Sequence, residues 1–544
     1  MDKNRRLTIW LPVIIAASIA LGIFVGNHYR FISQGKYQSY SNGNKINAIL
    51  GIINKQYVDT VNISTLIENT IPKIFSELDP HSVYISAEDA SAVNEELEGS
   101  FSGIGVSFNM QTDTILVISV INGGPAEKAG LLPFDRIISI NDSIFSGKKK
   151  DQNEIMKTLR GAKNSTVKLG IKRRDIPELL YIDVTRGDVP VNSVDVAFEA
   201  AKGIGYIKVS KFARNTYNEF ITAIATLKMK DCDSFIIDLR GNTGGYMDAA
   251  INMINEFMPE GRLIVYTEGK TFPRSDVFAN GTGTCKENPI VVLTDEISAS
   301  ASEIFSGAIQ DNDRGTIIGR RTYGKGLVQT QMALNDGSEI RLTIARYYTP
   351  SGRCIQKKYE LGKNDDYDQD IYNRYMHGEF DSADSIKLDD SLKYQTIGGR
   401  TVYGGGGIMP DIFIPRDTIG ITSYFSSLVG SGVLHLFTLE YSDRNYDKLS
   451  SFKTWEEMYA YLQQQPLLSQ CVNFAATRGI KRRPRLINIS SSLIETQIQA
   501  YITRNYFDDA GFYPIFYKDD PTLLRAIKVL KEGKSVPEIK QERE

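Results

Sequence analysis

Residues 233–245 read DSFIIDLRGNTGG. Phe235, Ile236 and Ile237 form an unbroken apolar run between polar ends, which suits a strand covered on both faces. Gly241, Gly244 and Gly245 then make a loop that lets backbone amides come close to another group. An apolar strand running into a glycine-rich loop is one half of a βα unit, and open α/β sheets bind ligands at such strand ends. The flanking sequence repeats the unit. KGIGYIKVS (202–210) predicts a strand and residues 217–228 a helix, while GGYMDAAINMINEFM (244–258) predicts a second helix. PIVVLTDE (289–296) is another buried strand, SASASEIFSGAIQ (298–310) opens a helix, and GTIIG (315–319) is a short strand. Strand–helix alternation over this length predicts an α/β core.

Around this core the pattern changes. GIGVSF (103–108), TILVISVI (114–121), RIISIN (136–141) and TVKLGIKR (166–173) are strand-like, with one helical piece at 152–161. They define a small β-rich domain. Residues 46–78 carry helical periodicity interrupted near Asn62 and Pro72, residues 361–395 are polar and acidic and read as a loop insertion, and TWEEMYAYLQQQ and DPTLLRAIKVLKEG mark a helical end. The expected division is an N-terminal segment 1–30, a helical region 31–98, the β-rich domain 99–187, the α/β core 188–420 and a helical region 421–544, a multidomain α/β (α+β) chain.

The 544 residues are 42% hydrophobic and 24% charged with a net charge of -2, which fits a folded chain and gives nucleic acid no basic surface. Cys232, Cys285, Cys354 and Cys471 show no C-x-x-C spacing, and the four histidines (His28, His81, His377, His435) do not pair at ligand spacing. No metal site and no cofactor is expected. Lys3, Arg5 and Arg6 precede the nearly uncharged run LTIWLPVIIAASIALGIFVG (7–26). About 20 apolar residues cross a bilayer, and the basic flank stays cytoplasmic. The expectation is a single-pass inner-membrane anchor with the body in the periplasm; a cleaved signal peptide competes, but no clean A-x-A site follows.

GRRTYGKG (319–326) resembles a phosphate-binding loop except that Gly326 stands where Ser or Thr belongs. The following residues alternate at period two, from Val328 through Leu334, turn at NDGS, and alternate again. That is a β-hairpin, so no helix N-terminus faces a phosphate. Lys325 can instead serve as a base if an apolar pocket lowers its pKa. Gln329, four residues on, would share its face in a strand and could orient the amine. Ser300 and Glu303 satisfy the capping box S-x-x-E, which makes Ser300 a helix N-cap; a serine on such a strand-to-helix turn also has an exposed hydroxyl near free helix amides. Spacing alone does not choose between Ser298, Ser300 and Ser302.

The chain resembles the C-terminal processing peptidases, or tail-specific proteases, in LDPHSVYIS, FSGIGVSF, GGPAEKAGLLPFDRIISIND, LRGAKNSTVKLGIKR, DLRGNTGG, SASASEIFSGAIQD, IIGRRTYGKGLVQT, RYYTPSGRCIQ and GGRTVYGGGGIMPD. The order is the family's over roughly residues 45–415, and the intervals of 25 from Ser300 to Lys325 and four to Gln329 also match. The resemblance implies a crotonase-like α/β core with an inserted PDZ domain, Ser300 as nucleophile, Lys325 as general base and Gln329 orienting it. Amides of Gly245 and Ala301 would form the oxyanion hole. Ser102, Gly103, Ile104, Gly105 and Val106 would receive a protein substrate's free C-terminal tail, which adds as a strand. Two positions depart from the pattern: Phe134 stands before Asp135 where Gly is common, and RGAKN (160–164) replaces R-G-x-x-G. The expected activity is serine endopeptidase, against the alternative of a PDZ scaffold that binds tails without cutting them. The region after Gly420 matches none of the family's shared core, which leaves dimerisation, substrate gating and adaptor docking open to it.

Overall fold

The computed structural model describes residues 10, 12–13, 15–25, 42–111, 114–147, 151–174 and 176–537. The apolar run 7–26 thus lies partly outside the described residues, and among those described no helix is long and apolar enough to cross a membrane. Met1–Ile74 and Phe75–Glu544 are separate compact units. The first contains α1 (Asn42–Gln56) and most of α2 (Ile63–Phe75). Pro72 lies within α2 rather than breaking it.

In the second unit β1 (Val83–Ile85) is followed by α3 (Ala87–Glu98), capped by Ser86 and closed by Gly99 at φ 75, a left-handed position that suits glycine. β2 (Ser100–Gly103) leads out of α3 and ladders with β9 (Gly187–Pro190), so the two strands bracket everything between them as an insertion. The insertion contains β3 (Val106–Gln111), β4 (Thr114–Val120), the turn α4 (Pro125–Lys128), β5 (Arg136–Ile140), β6 (Ser143–Ile144), α5 (Gln152–Leu159), β7 (Thr166–Lys172) and β8 (Leu180–Thr185). The sheet order is β3-β4-β5-β7-β8. β3 is therefore an edge strand. Ile115, Val117, Ile137, Val167 and Leu169, all fully buried, form this domain's core.

The core sheet is built from β10 (Val194–Ala201), β11 (Ile204–Val209), β12 (Ser234–Asp238), β15 (Ile290–Thr294), β16 (Thr316–Gly319) and β21 (Ile412–Phe413), in that order. β10 is antiparallel to β11 and every other pair is parallel. Parallel strands are covered on both faces, which explains the unbroken apolar runs read from the sequence. The cover on one face is α6 (Thr216–Lys228), α7 (Met247–Asn255) and α8 (Ala301–Asp311). All eleven residues of α8 are buried, the state expected of a helix surrounded by protein. A second sheet, β1-β18-β13-β14, comprises β13 (Leu263–Glu268), β14 (Ser275–Phe278) and β18 (Glu339–Tyr348), and β17 (Leu327–Ala333) joins it through the predicted hairpin.

Residues 361–395 are not the plain loop expected from their composition. They contain α9 (Asn364–Asp368) and α10 (Asp370–Met376), and end in β19 (Lys393–Gln395), which pairs with β20 (Thr401–Tyr403). Tyr367 and Arg374 point inward and are 3% and 4% exposed, so a few inward side chains fix a segment that is otherwise polar. The C-terminal region is helical as expected, running from α11 (Ser423–Gly430) through α12 (Val433–Arg444), α13 (Tyr446–Leu449), α14 (Trp455–Leu462), α15 (Leu467–Thr477) and α16 (Pro484–Phe516) to α17 (Pro521–Lys531).

Candidate active site

Three loops meet at the C-terminal ends of β12 and β15. β15 runs into Ser300, which has φ 56 and ψ -114, an uncommon backbone state for a non-glycine residue and one that marks functional turns. The capping box closes on one side, where Glu303 Oε2 accepts from the Ser300 amide at 2.9 Å. Three serines were candidates, and their environments differ. Ser298 Oγ donates to the Leu239 carbonyl at 2.8 Å and Ser302 Oγ to the Asn242 carbonyl at 2.9 Å, both fully buried. Only Ser300 of the three lines the cleft of about 600 Å³ that also holds Gly244, Gly245, Ala301, Lys325 and Gln329.

The loop after β12 faces that serine. Asn242 is buried and holds the loop's shape, accepting from the Gly244 amide at 2.8 Å and donating to the Val209 carbonyl at 2.9 Å. A Cβ on Gly244 would lie 2.7 Å from Ser300 Cβ, and one on Gly245 would lie 2.1 Å from the Phe212 carbonyl oxygen. Both glycines are also at positive φ, 105 and 139, so side chains are excluded twice over. Gly245 and Ala301 both line the cleft, and neither amide has a hydrogen-bond partner among the described residues. Two unpaired N–H groups at one cleft wall are the donor set that an oxyanion requires. Below the loop, Arg240 spans Asp238 (2.6 Å) and Asp520 (2.9 Å). Burial would raise the Asp238 carboxyl, but the charges of Arg240 and Lys208 outweigh it and hold the group well below the usual carboxylate range.

The third loop brings Lys325. Its Nζ donates to Gln329 Oε1 at 3.1 Å, as the spacing predicted. Lys325 lies just before β17, and the register shift between Val328 and Gln329 has its extra residue, Ile344, on β18, so β17 itself carries no inserted residue. Gln329 Nε2 in turn donates to the His81 carbonyl, which lies in the LDPHS turn. That turn is fixed by Asp79, which accepts from the His81 amide at 3.0 Å, the Ser82 hydroxyl at 2.5 Å and the Thr343 hydroxyl at 2.9 Å. Burial lowers the Lys325 ammonium from its usual range; the Arg341 charge adds to this, while Glu303 and Asp79 oppose it. Burial, and then the Lys325 charge, also push His81 down to about 4, so its imidazole is neutral at ordinary pH. The glycines on either side of Lys325 serve the packing. Gly324 is at φ 91, and a Cβ on Gly326 would lie 2.9 Å from the Gln356 amide nitrogen.

Two organising residues were not legible in advance. Glu303, predicted only as a capping partner, is fully buried and also accepts from Thr322 Oγ1 at 2.5 Å, the Gly324 amide at 2.7 Å and the Lys325 amide at 2.8 Å. It therefore ties the serine turn to the lysine loop. Burial pushes it up to about 7 against those donors. Tyr347 does similar work from β18, its hydroxyl donating to the Lys325 carbonyl and lying 3.1 Å from the Ser300 carbonyl. No periodicity or motif in the sequence singles out either tie.

In the β-rich insertion, Ser102 and Gly103 lie in the β2–β9 ladder, and Ser102 Oγ donates to the Gly161 carbonyl at 2.8 Å. Val106 starts β3, and the Ile104 and Gly105 amides between the strands have no partner among the described residues. No cluster of His, Cys, Asp or Glu suited to a metal occurs among the described residues.

Three stretches of the chain match known families. Residues 203–368 match the model of peptidase family S41, residues 102–184 that of the PDZ domain, and residues 424–508 that of a family of unknown function (DUF8443). The carboxy-terminal processing protease CtpA of Bacillus subtilis is 34% identical over 362 residues, 65% of this chain and 76% of that protein. CtpB of the same organism is 34% identical over 317 residues, 58% of this chain and 65% of that protein. The carboxy-terminal-processing protease of Bartonella bacilliformis is 37% identical over 311 residues, 56% of this chain and 70% of that protein. Among solved structures, the photosystem II D1 C-terminal processing protease aligns over 69% of this chain and 93% of its own, at 23% identity and a TM-score of 0.35. The chain belongs to the carboxy-terminal processing proteases, serine-type peptidases of family S41 with a PDZ domain.

Proposed function

We propose that the protein is an endopeptidase that reads the free C-terminal tail of a protein through its PDZ domain and cuts with a Ser300–Lys325 dyad. The observation that carries the dyad is the half-buried Lys325 amine, held on Gln329 in the cleft that Ser300 and the two unpaired amides share. Lys325 takes the Ser300 hydroxyl proton as Oγ attacks the scissile carbonyl. The Gly245 and Ala301 amides receive the oxyanion, and the lysine returns the proton to the leaving amine. An ester to Ser300 remains. Water, deprotonated by the same lysine, attacks the ester and releases a new carboxyl terminus and the free hydroxyl.

The β3 edge and the free Ile104 and Gly105 amides support tail docking, because an extended peptide adds as a strand while loop amides take its carboxylate. The test is a pair of unfolded substrates with the same apolar tail, one ending in a carboxylate and one in an amide. The carboxylate form is expected to be cut about tenfold more efficiently, through KM. Equal efficiency of the two would defeat tail reading. The apolar run at 7–26 supports an inner-membrane anchor with a periplasmic body, checked by fractionation of cells making the full chain.

The pH dependence follows from the sign of the Lys325 shift. The amine acts as a base only after losing its proton, so kcat/KM rises with pH and reaches half its plateau below the ordinary lysine value of 10.5. Arg341→Gln removes a cation that favours the neutral amine, and the rise should move to higher pH with the plateau preserved. A rise that stays in place would show that Lys325 is not the titrating base.

A further inference from the structure

Phe134 is at φ 70, in the left-handed region that a bulky side chain rarely occupies, yet its side chain is buried. Strain of this kind persists only where surrounding structure overrides it. The turn itself is secured from within the PDZ domain, where Arg173 pairs with the buried Asp135 at 2.7 Å. The Phe134 ring, however, leaves its own domain. It meets Tyr446 edge-on at 5.5 Å and Tyr506 at 5.4 Å, both in the C-terminal region. Around this plug Arg136 pairs with Asp443 at 2.6 Å. Arg174 donates to the Asp443 carbonyl and lies 5.4 Å over the Tyr446 ring. On the far side Tyr506 is held by the Ser442 carbonyl at 2.8 Å.

The same C-terminal region is built into the protease core. Leu523, Ala526 and Val529 of α17 share one buried cluster with Tyr206, Ile236 and Val291 of the core sheet. Tyr513 donates to Asp195 at 2.8 Å, and Asp520 receives Arg240, the residue just before the glycine loop that faces Ser300. The region thus grips the PDZ domain at one end and the sheet beneath the active site at the other.

We propose that the C-terminal helical region is an internal docking platform that holds the PDZ domain in one place on the protease core, with the Phe134 ring as the part it grips. The platform fixes the span between the β3 edge and Ser300. If the tail-reading activity above holds, that span sets how far from its end a substrate is cut, and this second consequence rests on that reading.

The experiment compares the full-length protein with Phe134→Gly and Asp443→Ala by hydrogen exchange, with product masses from a tailed substrate read in parallel. Glycine accepts the positive φ, so Phe134→Gly removes the ring without adding backbone strain. Both variants are expected to exchange at least about tenfold faster in residues 131–136 and 433–449, with α8 unchanged. Their products should spread over more cut sites than those of the parent. Unchanged exchange in both variants overturns the platform. Faster exchange with an unchanged product pattern overturns its role in setting the span. Should Phe134→Gly loosen the whole chain, the Asp443→Ala result decides. Absence of cleavage by the parent protein counts against the protease proposal alone and leaves exchange to judge the platform.

Discussion

Ser300→Ala is expected to abolish cleavage, with kcat falling by roughly 10^5 to 10^6. Alanine removes the atom that would form the ester, and no neighbouring hydroxyl can replace it. Ser298 and Ser302 have theirs committed to backbone carbonyls inside the protein. Lys325→Met should cost about as much, and the double variant little more, because groups acting as one unit are not additive. The free amides of Gly245 and Ala301 remain in every case, so a residual rate of about 10^3 over water is expected. Binding of a tailed substrate should survive Ser300→Ala, since the β3 edge is untouched. The measurement is the appearance of new C-terminal fragments by mass spectrometry, with Ser298→Ala as the control. Undiminished cleavage by Ser300→Ala would assign the chemistry elsewhere.

Glu303→Ala is expected to have the largest effect on stability. It leaves the Ser300, Gly324 and Lys325 amides and the Thr322 hydroxyl without their acceptor in a site with no exposure. A buried donor left unpaired costs about 1–3 kcal/mol, and losing one partner of a buried charged network on the order of 3–5 kcal/mol. The whole change is therefore on the order of 3–5 kcal/mol, read as a drop in the core's melting transition. Glu303→Gln should also fail, since its NH2 would face donors. The carboxyl's own titration adds a signature. Its folded pKa is raised from 4.5 to about 7, so its contribution to stability is full below 4.5 and fades as pH rises through about 7. The set of four accepted bonds is complete only in the ionised form. Stability and activity should thus run in opposite directions between pH 4.5 and 7. A flat melting temperature for the Glu303→Ala variant relative to the parent would remove the role.

The strands of the core sheet were legible because burial on both faces leaves no room for polar residues, as in Phe235–Ile237 and Ile290–Leu293. The hairpin after Lys325 was legible from its alternation. What escaped prediction depends on partners distant in sequence. Glu303 gathers donors from residues 19 to 22 positions away, which no local motif records. Residues 361–395 were misread because most of their side chains face water, while the order rests on Tyr367 and Arg374. Phe134 was visible only as a departure; its meaning lies in Tyr446 and Tyr506, more than 300 residues downstream.

Among the described residues the outer edge of β3 pairs with no other strand, and that has a cost. A strand with bare backbone groups is a template for any extended chain, including another copy of this protein. Val106, Phe108 and Met110 pack toward the PDZ core, while the other face offers Ser107 and Asn109, which carry no charge to repel a neighbour. Concentrated protein is therefore most exposed to edge-to-edge association when it is idle. A docked tail would cap the strand, so the protein's cargo would also be what keeps it from aggregating.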